Sequence, residues 1–332
     1  MEQEADASTG VREPVAGRLP DFFIVGHPKS GTTAMYEMLR RQPRIYLPEV
    51  KEPWYFVPEL RAKQTVRASS RHPDTLEGYL ALFAQARPEQ RAGEATPSYL
   101  VSEHAAARIA QLCPQARIVA ILREPASFLH SLHLQFLQSN VESEPDLRKA
   151  LELEPRRREG KSMPAHSTRP QALLYSEHLR YVEQLERYRA AFAPEQVLVL
   201  IYDDFRADNV ATVERVLEFL GVEDPEPVQA IEANRAVQAR APRGRELIRS
   251  LYLGRESSTR AARGAIKALS SKRMREGALR MTQRGLLSGE VAPMDERLSR
   301  ELRSRYADEV AKLSAYLDRD LTTLWGYDSV VG

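Results

Sequence analysis

At 332 residues and 42% hydrophobic content, the chain is long enough to bury one large core, and a charged share of 28% is ordinary. A net charge of +2 gives no general affinity for nucleic acid, and the single cysteine, Cys113, excludes a disulfide framework and agrees with a reducing compartment. No apolar run forms a signal-peptide core near the start or reaches the roughly 18 residues of a membrane span, so a cytoplasmic protein without a span is expected.

Residues 1–20 are polar and acidic and read as a disordered tail ahead of a single domain over 21–332. Phe22 to Val25 is a short apolar run, the pattern of a buried strand. Gly26 and Gly31 then bracket a loop holding Pro28, Lys29 and Ser30, and from Thr32 onward Ala34, Met35, Met38 and Leu39 recur at helical spacing. Strand, glycine-bracketed loop and helix together aim backbone N–H groups and a helix N-terminus at a phosphate. A Walker loop sets its lysine directly after the second glycine. Here Thr32 fills that slot and Lys29 stands two residues before Gly31, where a cation lies over the end of a bound group rather than along a triphosphate.

Pro48 and Pro53 keep Arg44 to Phe56 extended. Residues 76–86 and 103–112 read as helices, with 92–100 a loop or strand end between them. A second buried strand, Ile118 to Leu122, runs into Arg123, Glu124 and Pro125 and a helix carrying Phe128, Leu129, Leu132 and Phe136. Residues 141–170 are rich in Arg, Glu and Pro without a period and read as a mobile excursion. An amphipathic helix over about 171–192, a third strand from Val197 to Tyr202 and a helix ending near Gly221 complete the pattern. Strands alternating with helices predict an α/β fold, a P-loop-like central parallel β-sheet flanked by helices, with a helical C-terminal part. Within a basic helical cap expected over 235–290, residues 235–285 carry fourteen basic and three acidic side chains, either a solvated face or a rim for an anionic ligand. The last helix is expected over about 295–317.

Arg123 and Ser131 stand eight residues apart, which can bring a guanidinium fork and a hydroxyl to one oxyanion. With the Pro-Lys-Ser-Gly-Thr-Thr loop, this motif resembles the sulfotransferases that use 3′-phosphoadenosine 5′-phosphosulfate (PAPS), in a bacterial type similar to the heparan-sulfate N- and O-sulfotransferases. The arginine-rich composition fits a GC-rich bacterial genome. The resemblance implies that Lys29, Ser30, Gly31, Thr32 and Thr33 hold the 5′-phosphosulfate, and that Arg123 and Ser131 hold the 3′-phosphate. The segment Lys51-Glu52-Pro53-Trp54-Tyr55-Phe56 is similar to the one that carries the family's catalytic base, which gives that role to Glu52 and places Lys51 and Trp54 beside the acceptor. Trp54 stands where those enzymes often have histidine. The run GEATPSYL resembles the family's acceptor border and implicates Thr96, Ser98 and Tyr99, with Ala95 in the place of a lysine. Residues 234–247 resemble a basic loop over the donor, so Arg240 and Arg243 are candidate donor contacts.

The expected activity is transfer of the sulfuryl group from PAPS to a hydroxyl, less readily an amine, of a small-molecule, carbohydrate or lipid acceptor. Adenosine 3′,5′-bisphosphate is the product, and no metal is required. Two other classes share the loop: a P-loop kinase or NTPase with Asp203 as its magnesium ligand, and a non-catalytic anion-binding module that uses the basic stretch.

Overall fold

The computed structural model describes residues 17–60, 72–139, 141–164, 170–230, 237–238, 289–290 and 294–328. Most of the expected tail, Arg240, Arg243 and all but four residues of the basic 235–290 stretch lie outside the described residues. The strands of the main sheet are β1 (Phe22–Gly26), β2 (Ile45–Tyr46), β3 (Arg91–Ala95), β4 (Arg117–Leu122) and β5 (Val197–Ile201). The described helices are α1 (Thr32–Arg40), α2 (Leu76–Leu80), α3 (Ala105–Leu112), α4 (Pro125–Gln138), α5 (Leu147–Glu152), α6 (Glu154–Arg158), α7 (Tyr181–Ala191), α8 (Tyr202–Ala207), α9 (Asn209–Phe219), α10 (Glu296–Leu317) and α11 (Leu321–Trp325). The chain divides into two compact units, one of Met1–Arg123 with Arg180–Ile231, the other of Glu124–Leu179 with Glu232–Gly332.

The first unit holds the five-stranded parallel sheet, in the order β2-β3-β1-β4-β5. The strand that feeds the glycine-bracketed loop is therefore central, and every residue of it is buried. Alternation along β1 sends Phe22 and Ile24 into a core shared with Met35, Leu39, Val213, Val216 and Leu217. On the opposite face Phe23 meets the ring of Phe56 edge-on at 5.7 Å. A sheet covered on both faces explains why its strands read as continuous apolar runs.

β3 is the exception to that legibility. Expected as a loop or strand end, it is the neighbour of β1, with Gly93 in register with Phe22. A Cβ at Gly93 would lie 2.4 Å from the Phe22 ring, so glycine is required at this point of the strand because an aromatic ring fills the space beside it. The helix expected from residue 171 begins at Tyr181, where Arg180 leaves the helical region with ψ near 61°. Before it come two 3₁₀ turns, Pro170–Leu173 and Tyr175–Leu179, which bury Leu173, Tyr175 and Leu179 and so continue an apolar pattern without continuing the helix.

In the second unit, α10 buries the stripe Leu302, Tyr306, Val310 and Leu313 and packs on α4 and α11. Its first turn is capped by the Asp295 carboxylate, which accepts from the Leu298 N–H. Residues 141–164, expected as a mobile excursion, carry α5 and α6. Asp146 caps α5, and an ion pair between Arg157 and Glu142, with side chains 1% and 0% exposed, anchors the segment at 2.7 Å. Hydrophobic period is a poor guide to a segment held by buried charges. Among the described residues no helix is long and apolar enough to cross a membrane.

Candidate active site

The site in the first unit starts where β1 ends. Chain direction must reverse within a few residues to launch α1, and two positive backbone angles do it, Lys29 with φ 63° and Gly31 with φ 84°. Gly31 caps α1, and a Cβ there would sit 2.8 Å from the Phe205 ring, so both conformation and space demand glycine. Ser30 and Thr32 are buried, while Thr33 is exposed on the first turn of α1.

Lys29 is half-buried, and its left-handed backbone is held from outside the loop: Arg123, just past β4, donates from Nη1 to the Lys29 carbonyl oxygen at 2.9 Å. The guanidinium of Arg123 also stacks 4.9 Å from the Tyr202 ring, and the Tyr181 hydroxyl donates to the Arg123 carbonyl at 2.8 Å. Burial, with the nearby charge of Arg123 second, pulls the Lys29 ammonium below the ordinary lysine pKa. Two desolvated cations beside a helix start favour an anion.

Lys51 and Glu52 approach the same helix turn. The Lys51 ammonium donates to the Thr33 hydroxyl at 2.6 Å, lies 3.8 Å from the Glu52 carboxylate and sits over the Tyr36 ring at 5.9 Å. Burial lowers the Lys51 pKa, with Glu52 and Glu37 pushing back. The Glu52 side chain is 39% exposed, while its N–H is fixed to the Ala95 carbonyl at 3.1 Å. Glu52 and Trp54 both have φ near 57°, and Trp54 is buried.

Of the three expected acceptor-wall residues, only Ser98 is partly exposed. Thr96 and Tyr99 are fully buried, and both hydroxyls donate to Glu94, at 2.8 Å and 3.0 Å. Glu94 also accepts from the Tyr79 hydroxyl at 2.7 Å, and burial pushes its carboxyl up to about 7 against those three hydrogen bonds. Sequence reasoning passed over this residue. Its signal was an acid set between Gly93 and Ala95 in a strand, with hydroxyl side chains two and five residues on. Asp203 falls in the first turn of α8 and pairs with Arg206 at 3.7 Å. Ser131 belongs to the second unit, where it is buried on α4.

Residues 20–226 match the model of the sulfotransferase family. Carbohydrate sulfotransferase 15 of Mus musculus is 25% identical over 253 residues, 61% of this chain and 44% of its own length. Heparan sulfate glucosamine 3-O-sulfotransferase 3A1 of Mus musculus is 27% identical over 205 residues, 62% of this chain and 46% of its own. The match thus spans under half the length of these curated relatives. The crystal structure of a sulfotransferase from Alicyclobacillus acidocaldarius superposes with a TM-score of 0.63 over 93% of this chain and 99% of that one, and at 23% identity it shows the shared fold. With the family model matched across the whole parallel sheet and the loop that it carries, the chain belongs to the sulfotransferase family.

Proposed function

We propose that the protein transfers the sulfuryl group of PAPS to an acceptor hydroxyl. The observation that carries this reading is the placement of Lys29, a desolvated cation inside the loop rather than after it, with Arg123 bonded to its carbonyl. Lys29 then meets the phosphosulfate end of the donor, and the Ser30 to Thr33 turn offers its N–H groups to the 5′-phosphate. Arg123 serves the 3′-phosphate, a role that resemblance alone also gives to Ser131.

In the transfer, Glu52 takes the proton of the acceptor hydroxyl, and the freed oxygen attacks sulfur. One S–O bond forms as the S–O bond to the phosphate breaks. Lys29 stabilises the charge gathering on that departing oxygen. Adenosine 3′,5′-bisphosphate and a sulfate ester leave, with the proton on Glu52. The partial exposure of Glu52 supports this reading, since a base must reach an entering acceptor. Both mammalian relatives are named for carbohydrates, which favours a sugar hydroxyl as acceptor. No metal enters the scheme.

Thermal stabilisation tests the donor, because a ligand that binds only the folded chain raises its melting temperature. Adenosine 3′,5′-bisphosphate is expected to stabilise the wild type, and ATP with magnesium is not. Lys29→Ala and Glu52→Gln are each expected to slow sulfuryl transfer from PAPS by about 10²-fold or more in a folded protein. Stabilisation by ATP and magnesium alone would move the chain to nucleoside-triphosphate chemistry.

A further inference from the structure

The segment that carries Glu52 is strained. Glu52 and Trp54 flank Pro53 with φ near 57° each, a region that non-glycine residues rarely occupy. Such a conformation persists only where surrounding groups over-determine it, so the structure must supply a clamp on each side.

On one side the Glu52 N–H donates to the carbonyl of Ala95, the last residue of β3. On the other, the Phe56 N–H reaches the hydroxyl oxygen of Tyr99 at 3.5 Å, and the Val57 N–H closes a turn on the Trp54 carbonyl at 3.3 Å. The first clamp is backbone on backbone, and the second leads to a buried side chain. Tyr99 passes its own hydrogen to Glu94 Oε1 at 3.0 Å, and Glu94 is the residue next to Ala95 in β3. The Glu94 carboxyl is held in turn by Tyr79 on Oε1 and Thr96 on Oε2. Tyr79 stacks on Tyr55 at 4.3 Å, which adds a third tie to the same loop. Glu94 is 1% exposed and cannot meet an acceptor itself.

We propose that Glu94 is a positioning residue, the buried anchor that holds the Glu52–Pro53–Trp54 loop in its strained shape through Tyr99, which meets the Phe56 N–H, and Tyr79, which stacks on Tyr55. Its position gives a reason for an acid inside a buried strand next to β1. A carboxyl group there accepts three hydroxyl hydrogens at once, which no apolar side chain of that size does. The inference rests on Glu52 as the base only for its catalytic consequence; the claim about loop geometry stands by itself.

The test uses a local probe. The chain has two tryptophans, Trp54 and Trp325, so Trp325→Phe leaves Trp54 as the single reporter of the loop. In that background, Glu94→Gln and Tyr99→Phe are each expected to raise acrylamide quenching of Trp54 about twofold or more by local loosening. Sulfuryl transfer is expected to fall about tenfold in kcat with KM for PAPS unchanged, because the base is misplaced while the donor loop is intact. Stabilisation by adenosine 3′,5′-bisphosphate is expected to persist, and its loss in the parent would count against the proposed donor, not against this anchor. Unchanged quenching in both variants overturns the inference, whatever the turnover. If Glu94→Gln does not fold, Tyr99→Phe decides alone, since it removes one link and keeps the carboxyl.

Discussion

The Arg123 guanidinium donates to the carbonyl oxygen of Lys29 at 2.9 Å, so a residue at the end of β4 fixes the backbone of the loop that follows β1. The two strands are neighbours in the sheet, and the bond ties their C-terminal ends together at the point where an anion is expected. Arg123→Ala removes this bond and the stacking on Tyr202 as well. Affinity for adenosine 3′,5′-bisphosphate is expected to fall about 10- to 100-fold, measured by titration calorimetry. Arg123→Lys is expected to recover little of it, because an ammonium offers no planar fork to stack and to bridge. Undiminished affinity in Arg123→Ala would remove this residue from the donor site.

Gly31 tests the loop from the packing side. An alanine there meets two separate penalties, a positive φ of 84° and a Cβ 2.8 Å from the Phe205 ring. Gly31→Ala is expected to destabilise the protein by about 1–3 kcal/mol, read from urea unfolding. Adding Phe205→Leu is expected to return the steric share and leave the backbone share. A fully neutral Gly31→Ala would mean that the turn can adopt another shape.

What the sequence disclosed follows from where its apolar residues are concentrated. β1 and β4 are buried along nearly their whole length and announce themselves as Phe22 to Val25 and Ile118 to Leu122. The edge strand β5, partly exposed at Leu198 and Val199, was still legible as Val197 to Tyr202, although it ends at Ile201 and Tyr202 opens α8. The loop was legible because Gly31 and Lys29 are demanded by geometry and charge, which leave few substitutes. β3 was obscured because it reads Arg-Ala-Gly-Glu-Ala, with the Phe22 ring filling the space beside Gly93 where a side chain would be. Glu94 was overlooked for the same reason that it is informative: its partners are hydroxyls on Tyr79, Thr96 and Tyr99, whose convergence is visible only in three dimensions. Thr96 and Tyr99 thus carry inward hydrogen bonds, where resemblance had set them at the acceptor wall.

The second unit holds its own buried charge pair. Arg157 grips Glu142 with two nitrogens, Nη1 on Oε2 at 2.7 Å and Nη2 on Oε1 at 2.9 Å, and the Tyr175 hydroxyl donates to Oε2 at 3.3 Å. Burial by itself would push the Glu142 carboxyl up, but the hydrogen bonds from Arg157 and the local backbone outweigh it and hold the pKa below the ordinary glutamate value. The stabilisation is therefore complete above the ordinary carboxylate range and is lost as pH falls through the folded value. Arg157→Met leaves the carboxylate buried without its partner and is expected to cost about 3–5 kcal/mol near neutral pH. The loss is expected to shrink in acid, where Glu142 can protonate. Chemical denaturation at two pH values measures both, and an equal loss at each would show that packing rather than charge sets the cost.

Glu94 has the opposite sign. Burial raises its carboxyl to about 7, above the unfolded value, so between those two values the folded chain binds more protons than the unfolded one. Stability is therefore expected to fall as pH rises from 5 to 8, by about 3 kcal/mol from this group alone. The charged group that faces it is Glu52, whose charge adds to the upward push; Tyr36, Tyr79, Tyr99, Cys113 and Tyr188 surround it in neutral form. Glu94→Gln keeps the shape and cannot ionise, so its stability is expected to vary less over the same interval. The comparison is between slopes, not absolute melting temperatures, because the amide also alters the hydrogen bonds from Tyr79, Thr96 and Tyr99. Parallel curves for wild type and Glu94→Gln from pH 5 to 8 would show that the buried carboxyl does not titrate there. Converging or crossing curves would show that the carboxyl behind the Glu52 loop ionises in this interval.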